Sequence, residues 1–313
     1  MNKENKNNKN YEKALKQLVI KNSLLYNSSE FRLGKRVLII KDLLMGFKLK
    51  KFFEYIKNIK RNRILYEKYL DKRIRKQQLH HSFGIPIESD GPSITIYTCI
   101  VGKYDMPKIP LLCYSNCHYV LYTDQVNVDV PGWEIRPLPQ QVISQDNPTI
   151  KNRYLKFHPQ EFFNTDYSIY IDGNVQLLTD ISDMVPTKNS KTGIAMFTHP
   201  YRNCVYTEVD ACIFMKKGNA KKLQEQITQY KKEGFPVHYG LNEATLIAVD
   251  LKNPKAKEIL IAWWNEFIKS KSNRDQIALP YTLWKMGLRP SDIENLGEDI
   301  KQDLRLEVYK HNL

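Results

Sequence analysis

A run of uncharged apolar residues long enough to cross a bilayer as a helix, about 18 or more, is missing from this sequence. The first ten residues, MNKENKNNKN, are polar, and no apolar stretch behind them has the form of a signal peptide. Cysteine is sparse. Five residues (Cys99, Cys113, Cys117, Cys204, Cys212) make an odd number without a Cys-x-x-Cys pair, so neither a disulfide framework nor a zinc ribbon is expected, and reduced thiols in a cytosol fit best. Also absent are G-x-S-x-G, H-E-x-x-H, G-x-x-x-x-G-K-[ST] and G-x-G-x-x-G, which removes most hydrolase and kinase readings. What remains is a chain with 42% hydrophobic residues and 19 Tyr in 313, enough to bury a substantial core. Its bias toward Lys, Asn and Ile is of the kind expected from an AT-rich bacterial genome.

The formal charge of +14 is unevenly placed. Residues 1–80 hold 22 Lys or Arg against 7 Asp or Glu, leaving 26 against 27 in the rest. Residues 11–78 lack proline and carry apolar groups at helical spacing, such as Val37, Ile40, Leu44 and Phe47, then Leu49, Phe52, Phe53, Ile56 and Ile59. With Lys41, Lys48, Lys50, Lys51, Lys57, Lys60, Arg61 and Arg63 on the polar face, this predicts two or three basic amphipathic helices suited to an anionic membrane surface. A solvated face packed on its own domain has the same pattern. A nucleic-acid-binding segment is the other reading of such charge, but Phe52, Phe53 and Tyr55 suit an amphipathic helix as well as base stacking, and no nucleic acid is expected as partner.

Residues 81–92, within HSFGIPIESDGPS, break the helical pattern and read as a linker. From 93 to 313 short β-rich runs alternate with helical ones: SITIYTCI (93–100), HYVLYT (118–123), helical PTIKNRYLKF (148–157), DYSIYID (166–172), TGIAMFT (192–198), a helix near 219–232, ATLIAVD (244–250), and helices near 254–269 and from Arg274. Alternation of this kind predicts an α/β fold with a sheet flanked by helices. Ligands of open α/β sheets lie beyond the carboxyl ends of the strands. That singles out Gly102, Tyr104 and Asp105, then Asp124, then Asp172 and Asn174 in Y-S-I-Y-I-D-G-N. One carboxylate with an oxygen-bearing neighbour suffices for a hard divalent cation that keeps water and phosphate; a plain turn has the same residues. Asp124 likewise reads as a turn carboxylate or a ligand. In NRYLKFHP, Asn152 and Lys156 are four apart and Arg153 three before Lys156, with Ile150, Tyr154 and Phe157 expected on another face, so the helix either offers cations to an anion or carries ordinary solvated charge. His199, Arg202 and Glu208 follow another strand-like run, Asn242 and Glu243 precede one, and Asp275 and Gln276 open a helix, where acidic residues are commonly caps. Trp263, Trp264 and Trp284 are expected chiefly in the core.

The ordered blocks IYTCIVGKYD, YVLYTD, NRYLKFHP, YSIYIDGN, HPYRNCVYTE, GLNEATLI and NRDQIALPYTLWKMG resemble the glycosyltransferase-like domain shared by plant mucilage and turgor-related proteins and bacterial surface-polysaccharide proteins, over about residues 93–290. The resemblance implies a GT-A-like (Rossmann-like) mixed sheet, a nucleotide-sugar donor and a glycan or lipid-linked acceptor. It further implies a D-x-D-like element in which Asp172 and Asn174 hold Mn²⁺ or Mg²⁺, although Asn174 replaces the second Asp. Donor contacts fall on Tyr97, Thr98, Asp124, Asn152, Arg153, Lys156, Asp172 and Asn174, and acceptor or sugar contacts on His199, Arg202, Glu208, Asn242 and Gln276. Glu243 and Asp275 are the catalytic candidates, with the Asp-Gln pair favouring a retaining hexosyltransferase. The expected setting is capsule or lipopolysaccharide synthesis, with the protein cytoplasmic and peripheral at the inner face of the plasma membrane. A non-catalytic carbohydrate-binding relative is the alternative.

Overall fold

The computed structural model describes residues 86–102 and 104–311. The chain divides into two units, Met1–Ile87 and Glu88–Leu313, and the expected basic helices of residues 1–80 lie outside the described residues.

The elements of the second unit are β1 (Ile94–Ile100), β2 (Cys117–Thr123), β3 (Glu134–Pro137), α1 (Gln140–Ile143), α2 (Pro148–Phe157), α3 (Pro159–Phe162), β4 (Tyr167–Ile171), β5 (Val175–Leu177), β6 (Ile194–Thr198), α4 (Val205–Phe214), α5 (Ala220–Lys232), β7 (Asn242–Asp250), α6 (Pro254–Ser270), α7 (Asp275–Lys285), β8 (Glu294–Asn295) and β9 (Leu306–Val308). Seven strands form one mixed sheet in the order β3-β2-β1-β4-β7-β6-β8, and β5 pairs with β9 in a separate antiparallel ribbon. This is the α/β sheet flanked by helices that the alternation of runs predicts. β1 pairs in parallel with β2 and β4, while β7 runs antiparallel to β4 and β6. The carboxyl ends of β1, β2, β4 and β6 therefore share an edge with the start of β7.

All seven residues of β1 are buried, which is why its sequence is an unbroken apolar run rather than an alternating one. Its Tyr97 and Cys99, with Val101 just after it, belong to a core with Leu155 and Phe157 of α2, Ile259, Leu260 and Trp263 of α6 and Leu279 and Leu283 of α7. Helix boundaries follow their caps. Asn147 accepts from Ile150 N ahead of Pro148 in α2, and Asn253 accepts from Lys255 N and Ala256 N ahead of Pro254 in α6. A second cluster joins α4, α5 and α7 through Val209, Leu223, Tyr230, Ile277 and Tyr281.

Candidate active site

The turn after β4 carries Asp172, and its glycine is there for a close approach. A Cβ on Gly173 would lie 2.7 Å from Ile100 Cγ1 of β1, so only glycine lets the turn press against the neighbouring strand. Asp172 N donates to Thr245 O at 3.0 Å, which sets the carboxylate beside the start of β7 and Glu243. The loop after β1 is locked to the end of β2: Asp124 Oδ1 accepts from Gly102 N at 2.7 Å and Gln125 Nε2 donates to Gly102 O at 2.6 Å. Asp124 thus serves as a loop fastener whose side chain stays exposed.

From Asp172 a continuous polar chain runs inward. Tyr170 Oη donates to Asp172 Oδ1 at 3.0 Å and also lies 3.1 Å from Asn152 Oδ1. Asn152 Nδ2 donates to Cys99 O at 2.6 Å, docking α2 on β1, and its Oδ1 accepts from the Arg153 guanidinium. Arg153 Nε and Lys156 Nζ converge on one oxygen, Asp275 Oδ2, at 2.8 and 2.7 Å. Lys156 also stands 4.9 Å from the centroid of the Tyr170 ring. Lys156 is 1% exposed and Asp275 2%, so the solvated-face reading of this helix does not hold. Trp263 Nε1 donates to the Asp275 carbonyl at 2.7 Å, which gives that core indole its polar partner.

Asp275 and Glu243 differ sharply in their electrostatics. Burial works against an ionised Asp275, but the charges of Arg153, Lys156 and Arg274 outweigh it and hold the carboxyl well below the usual carboxylate range. A buried carboxylate so firmly ionised is a poor proton acceptor. Its geometry is that of a group positioning Arg153 and Lys156, in place of the catalytic role expected from sequence. Glu243 is half-buried, and burial, then Asp299 and Asp172, push its pKa up against Thr245 Oγ1, which donates to it at 3.2 Å.

Several expected contacts are structural instead. Tyr97 is buried, and its hydroxyl lies 3.2 Å from Leu155 O and 3.4 Å from Lys156 O, so it supports α2 from beneath; Thr98 is buried beside it, its Oγ1 without a hydrogen-bond partner among the described residues. Asn242 and Gln276 are buried and tie β7 to its neighbours, Gln276 Nε2 donating to Asn242 O at 3.1 Å and Asn242 Nδ2 to Pro290 O at 3.4 Å. His199 Nδ1 accepts from Arg202 N at 3.0 Å and Tyr201 N at 3.3 Å, which puts the ring proton on Nε2, 3.4 Å from Glu208 Oε2. Burial pushes the His199 pKa down to about 4 against the pull of Glu208, so the ring is neutral at pH 7. Glu208 lies in the first turn of α4, not in a loop, and also pairs with Arg202. His199, Arg202 and Glu208 therefore close on one another.

Sequence reasoning missed Arg274, Tyr201 and the C-terminal segment. Tyr201 is exposed, close enough to Glu243 and Asp299 to feel both charges. His311 Nδ1 lies 3.0 Å from Asp105 Oδ2, and Asn174 Nδ2 donates to Tyr309 O at 2.6 Å. Arg274 sits immediately before the singled-out Asp275, the one sequence signal that pointed its way.

No group of three or more His, Cys, Asp or Glu suited to a metal occurs among the described residues. The residues that could hold one are Asp172, whose Oδ1 takes the Tyr170 hydroxyl and leaves its second oxygen, and Asn174, whose Oδ1 is buried without a partner. Two oxygens fit a hard divalent cation that draws its other ligands from phosphate and water.

A family model described as TOD1/MUCI70, glycosyltransferase-like domain, matches residues 153–310. Among curated proteins none matches. Two similar solved structures are the glycosyltransferase GlyE of Streptococcus pneumoniae TIGR4 and the apo form of the bifunctional glycosyltransferase WbbM. The first is 11% identical with a TM-score of 0.35, over 66% of this chain and 45% of that one. The second is 11% identical with a TM-score of 0.37, over 70% and 41%. The chain thus spans less than half the length of either.

Proposed function

Given that the chain belongs to the TOD1/MUCI70 glycosyltransferase-like domain family, we propose that it moves a hexosyl unit from a nucleoside-diphosphate sugar to a glycan or lipid-linked acceptor. The observation that carries this is the unbroken polar chain from Asp172 to Asp275: it brings two cations from α2 beneath a carboxylate at the ligand-binding edge of the sheet. Diphosphate departure concentrates negative charge on the leaving group, and fixed cations in a dry setting stabilise it without having to reorganise. Asp275 holds Arg153 and Lys156 in place for that task. Asp172 and Asn174 would hold Mn²⁺ or Mg²⁺, which when bound supplies further neutralisation of the two phosphates.

On the acceptor side Glu243 and the exposed Tyr201 flank the same edge. The Asp275–Gln276 pair implied retention of anomeric configuration. One observation favours inversion instead: Glu243 is the half-buried carboxyl whose proton affinity is raised, the direction of change expected of a general base. The anomeric coupling in the product, read by NMR, separates the two courses.

The donor reading is tested by melting the protein with UDP, GDP, CDP and ADP, each with and without Mn²⁺. A ligand bound only to the native state raises the melting point, by about 2.7 kcal/mol of stability at a hundred times its dissociation constant. One diphosphate is expected to stand out from the panel. A flat response to all four would favour the non-catalytic relative of the fold.

The acceptor we propose is a bacterial surface glycan of capsule or lipopolysaccharide type, reached from the inner face of the plasma membrane. No helix among the described residues is long and apolar enough to cross a membrane, and the charge excess of residues 1–80 supplies the attraction to anionic lipid, at about 1 kcal/mol per cation near the surface. Full-length protein is expected to float with vesicles containing anionic lipid and to lose that binding when residues 1–80 are removed. Equal flotation of the truncated protein would refute the assignment.

A further inference from the structure

The turn between α4 and α5 presents the most exposed large apolar side chain among the described residues. Phe214 is 88% exposed, and Met215 beside it 45%. The buried stripe of α4 runs through Val205, Val209 and Cys212, so Phe214 falls on the opposite side of the helix and leaves the core at its last turn. The helix end is firmly closed: Met215 N donates to Ala211 O at 2.9 Å and Lys217 N to Cys212 O at 2.8 Å, with Lys216 in the left-handed region at φ +55°. A lone exposed apolar residue needs no explanation. An adjacent pair held at a fixed tip among unpaired cations does.

Phe214–Lys222 reads FMKKGNAKK and Lys269–Asn273 reads KSKSN, with no Asp or Glu in either stretch, in a part of the chain where acids and bases otherwise balance. The two stretches are pressed together. Asn219 N donates to Ser272 O at 3.1 Å, and a Cβ on Gly218 would fall 2.8 Å from that same carbonyl, so glycine is what lets the loops meet. Lys222 pairs with Glu225 and Lys269 with Glu266. Lys216, Lys217, Lys221 and Lys271 are exposed and pair with no carboxylate among the described residues. The surface they form lies at the ligand-binding end of the sheet. Ser272 leads into α7, whose Asp275 holds Lys156 at 2.7 Å and whose Gln276 Nε2 donates to Asn242 O at 3.1 Å, at the start of β7. That start shares its edge with the end of β4 and Asp172.

We propose that the Phe214–Met215 tip and its lysines dock the folded unit on an anionic lipid surface, the ring entering the interface and the ammonium groups meeting the head groups. A ring 88% exposed stands clear of the surface instead of lining a groove, which suits lipid better than base stacking. Docking here brings the Asp172 edge near the bilayer and so favours a lipid-linked acceptor over a free glycan. The inference extends the membrane part of the reading above from residues 1–80 to a second contact, on the folded unit.

The test uses the full chain carrying Phe214→Trp, with wild type as the control for its 4 native Trp. The probes are phosphatidylcholine vesicles with and without phosphatidylglycerol, each containing lipid brominated high on its acyl chains. With phosphatidylglycerol present, the introduced indole is expected to be quenched beyond the wild-type level. Without it the excess should vanish. Lys216→Gln together with Lys217→Gln should lower partition of the full chain onto the anionic vesicles about 30-fold, the effect of taking two cations from the lipid surface. All these positions are exposed, so the variants should melt with wild type. Vesicle-bound protein whose added indole is quenched no more than wild type would overturn this inference alone and leave the reading of residues 1–80 intact. So would partition unchanged by the two lysine substitutions, or a dimer in sedimentation that Phe214→Ser converts to monomer, which would give the tip to a second copy of the chain. A full chain that binds neither vesicle would overturn both.

Discussion

Replacing Asp172 with alanine is expected to lower donor turnover by about a hundred- to a thousandfold, the scale of removing one preorganised group that acts on developing charge. The fold should barely register the change. Asp172 accepts one bond from Tyr170, and that hydroxyl keeps Asn152 Oδ1 at 3.1 Å as an alternative acceptor, so the loss is on the order of 1 kcal/mol. Binding should move the other way. Asp172 is a carboxylate whose charge acts on both Arg153 and Lys156. Its removal leaves the mouth more positive, so in chelator a nucleoside diphosphate should bind the variant at least as well as the wild type. Turnover and binding thus separate, which a loss of folding would not produce. Donor hydrolysis by Asp172→Ala within tenfold of wild type, under saturating donor, would take Asp172 out of the chemistry.

The central strands and helix α2 were legible because each carries a complete local signal. A strand buried on both faces is a continuous apolar run, and the expected 93–100 and 166–172 became Ile94–Ile100 and Tyr167–Ile171. The sequence PTIKNRYLKF, introduced by Asn147 and Pro148, is α2 to the residue. Elements without such signals were missed. β5, β8 and β9 are two or three residues long and exist by virtue of their partners. Helix α4 begins after Cys204, which makes no capping bond, so the stretch HPYRNCVYTE reads as a loop.

The site divides along the same line. That Asp172, Asn152, Arg153, Lys156 and Asp275 were worth singling out could be read from strand ends, helix faces and the family pattern. How they act could not, because the deciding contacts join residues far apart in the chain. Asp275 lies 119 positions from Lys156, and Tyr309 lies 135 from Asn174. A helix-opening Asp looks like a cap or a base until its partners are seen. Nothing local in the sequence says that two cations of α2 have already claimed it.

The burial of that claim makes Asp275→Asn the substitution with the largest expected effect on stability. It strands the ammonium of Lys156, 1% exposed, and removing one partner of a buried ion pair costs about 3 to 5 kcal/mol. For a folded unit of this size that corresponds to a melting point lower by roughly 6 to 20 °C. Arg153, with 17% of its side chain exposed, can turn toward solvent, but Lys156 cannot. Lys156→Met introduced on top of Asp275→Asn should therefore restore part of the loss, because it removes the stranded charge and keeps the packing volume. The pH dependence has a definite sign. With its folded pKa depressed, Asp275 contributes its full stabilisation above the unfolded carboxylate value of about 3.9 and loses it as the pH falls below that value toward the folded one. The gap between wild type and Asp275→Asn should hence be widest near neutrality and narrow below about pH 4, as read by urea unfolding at pH 7 and pH 3. Two results would contradict this account: a melting point for Asp275→Asn within about 2 °C of wild type, or a double variant less stable than the single one, which would mean that Lys156 has another partner and Asp275 is free for the chemistry.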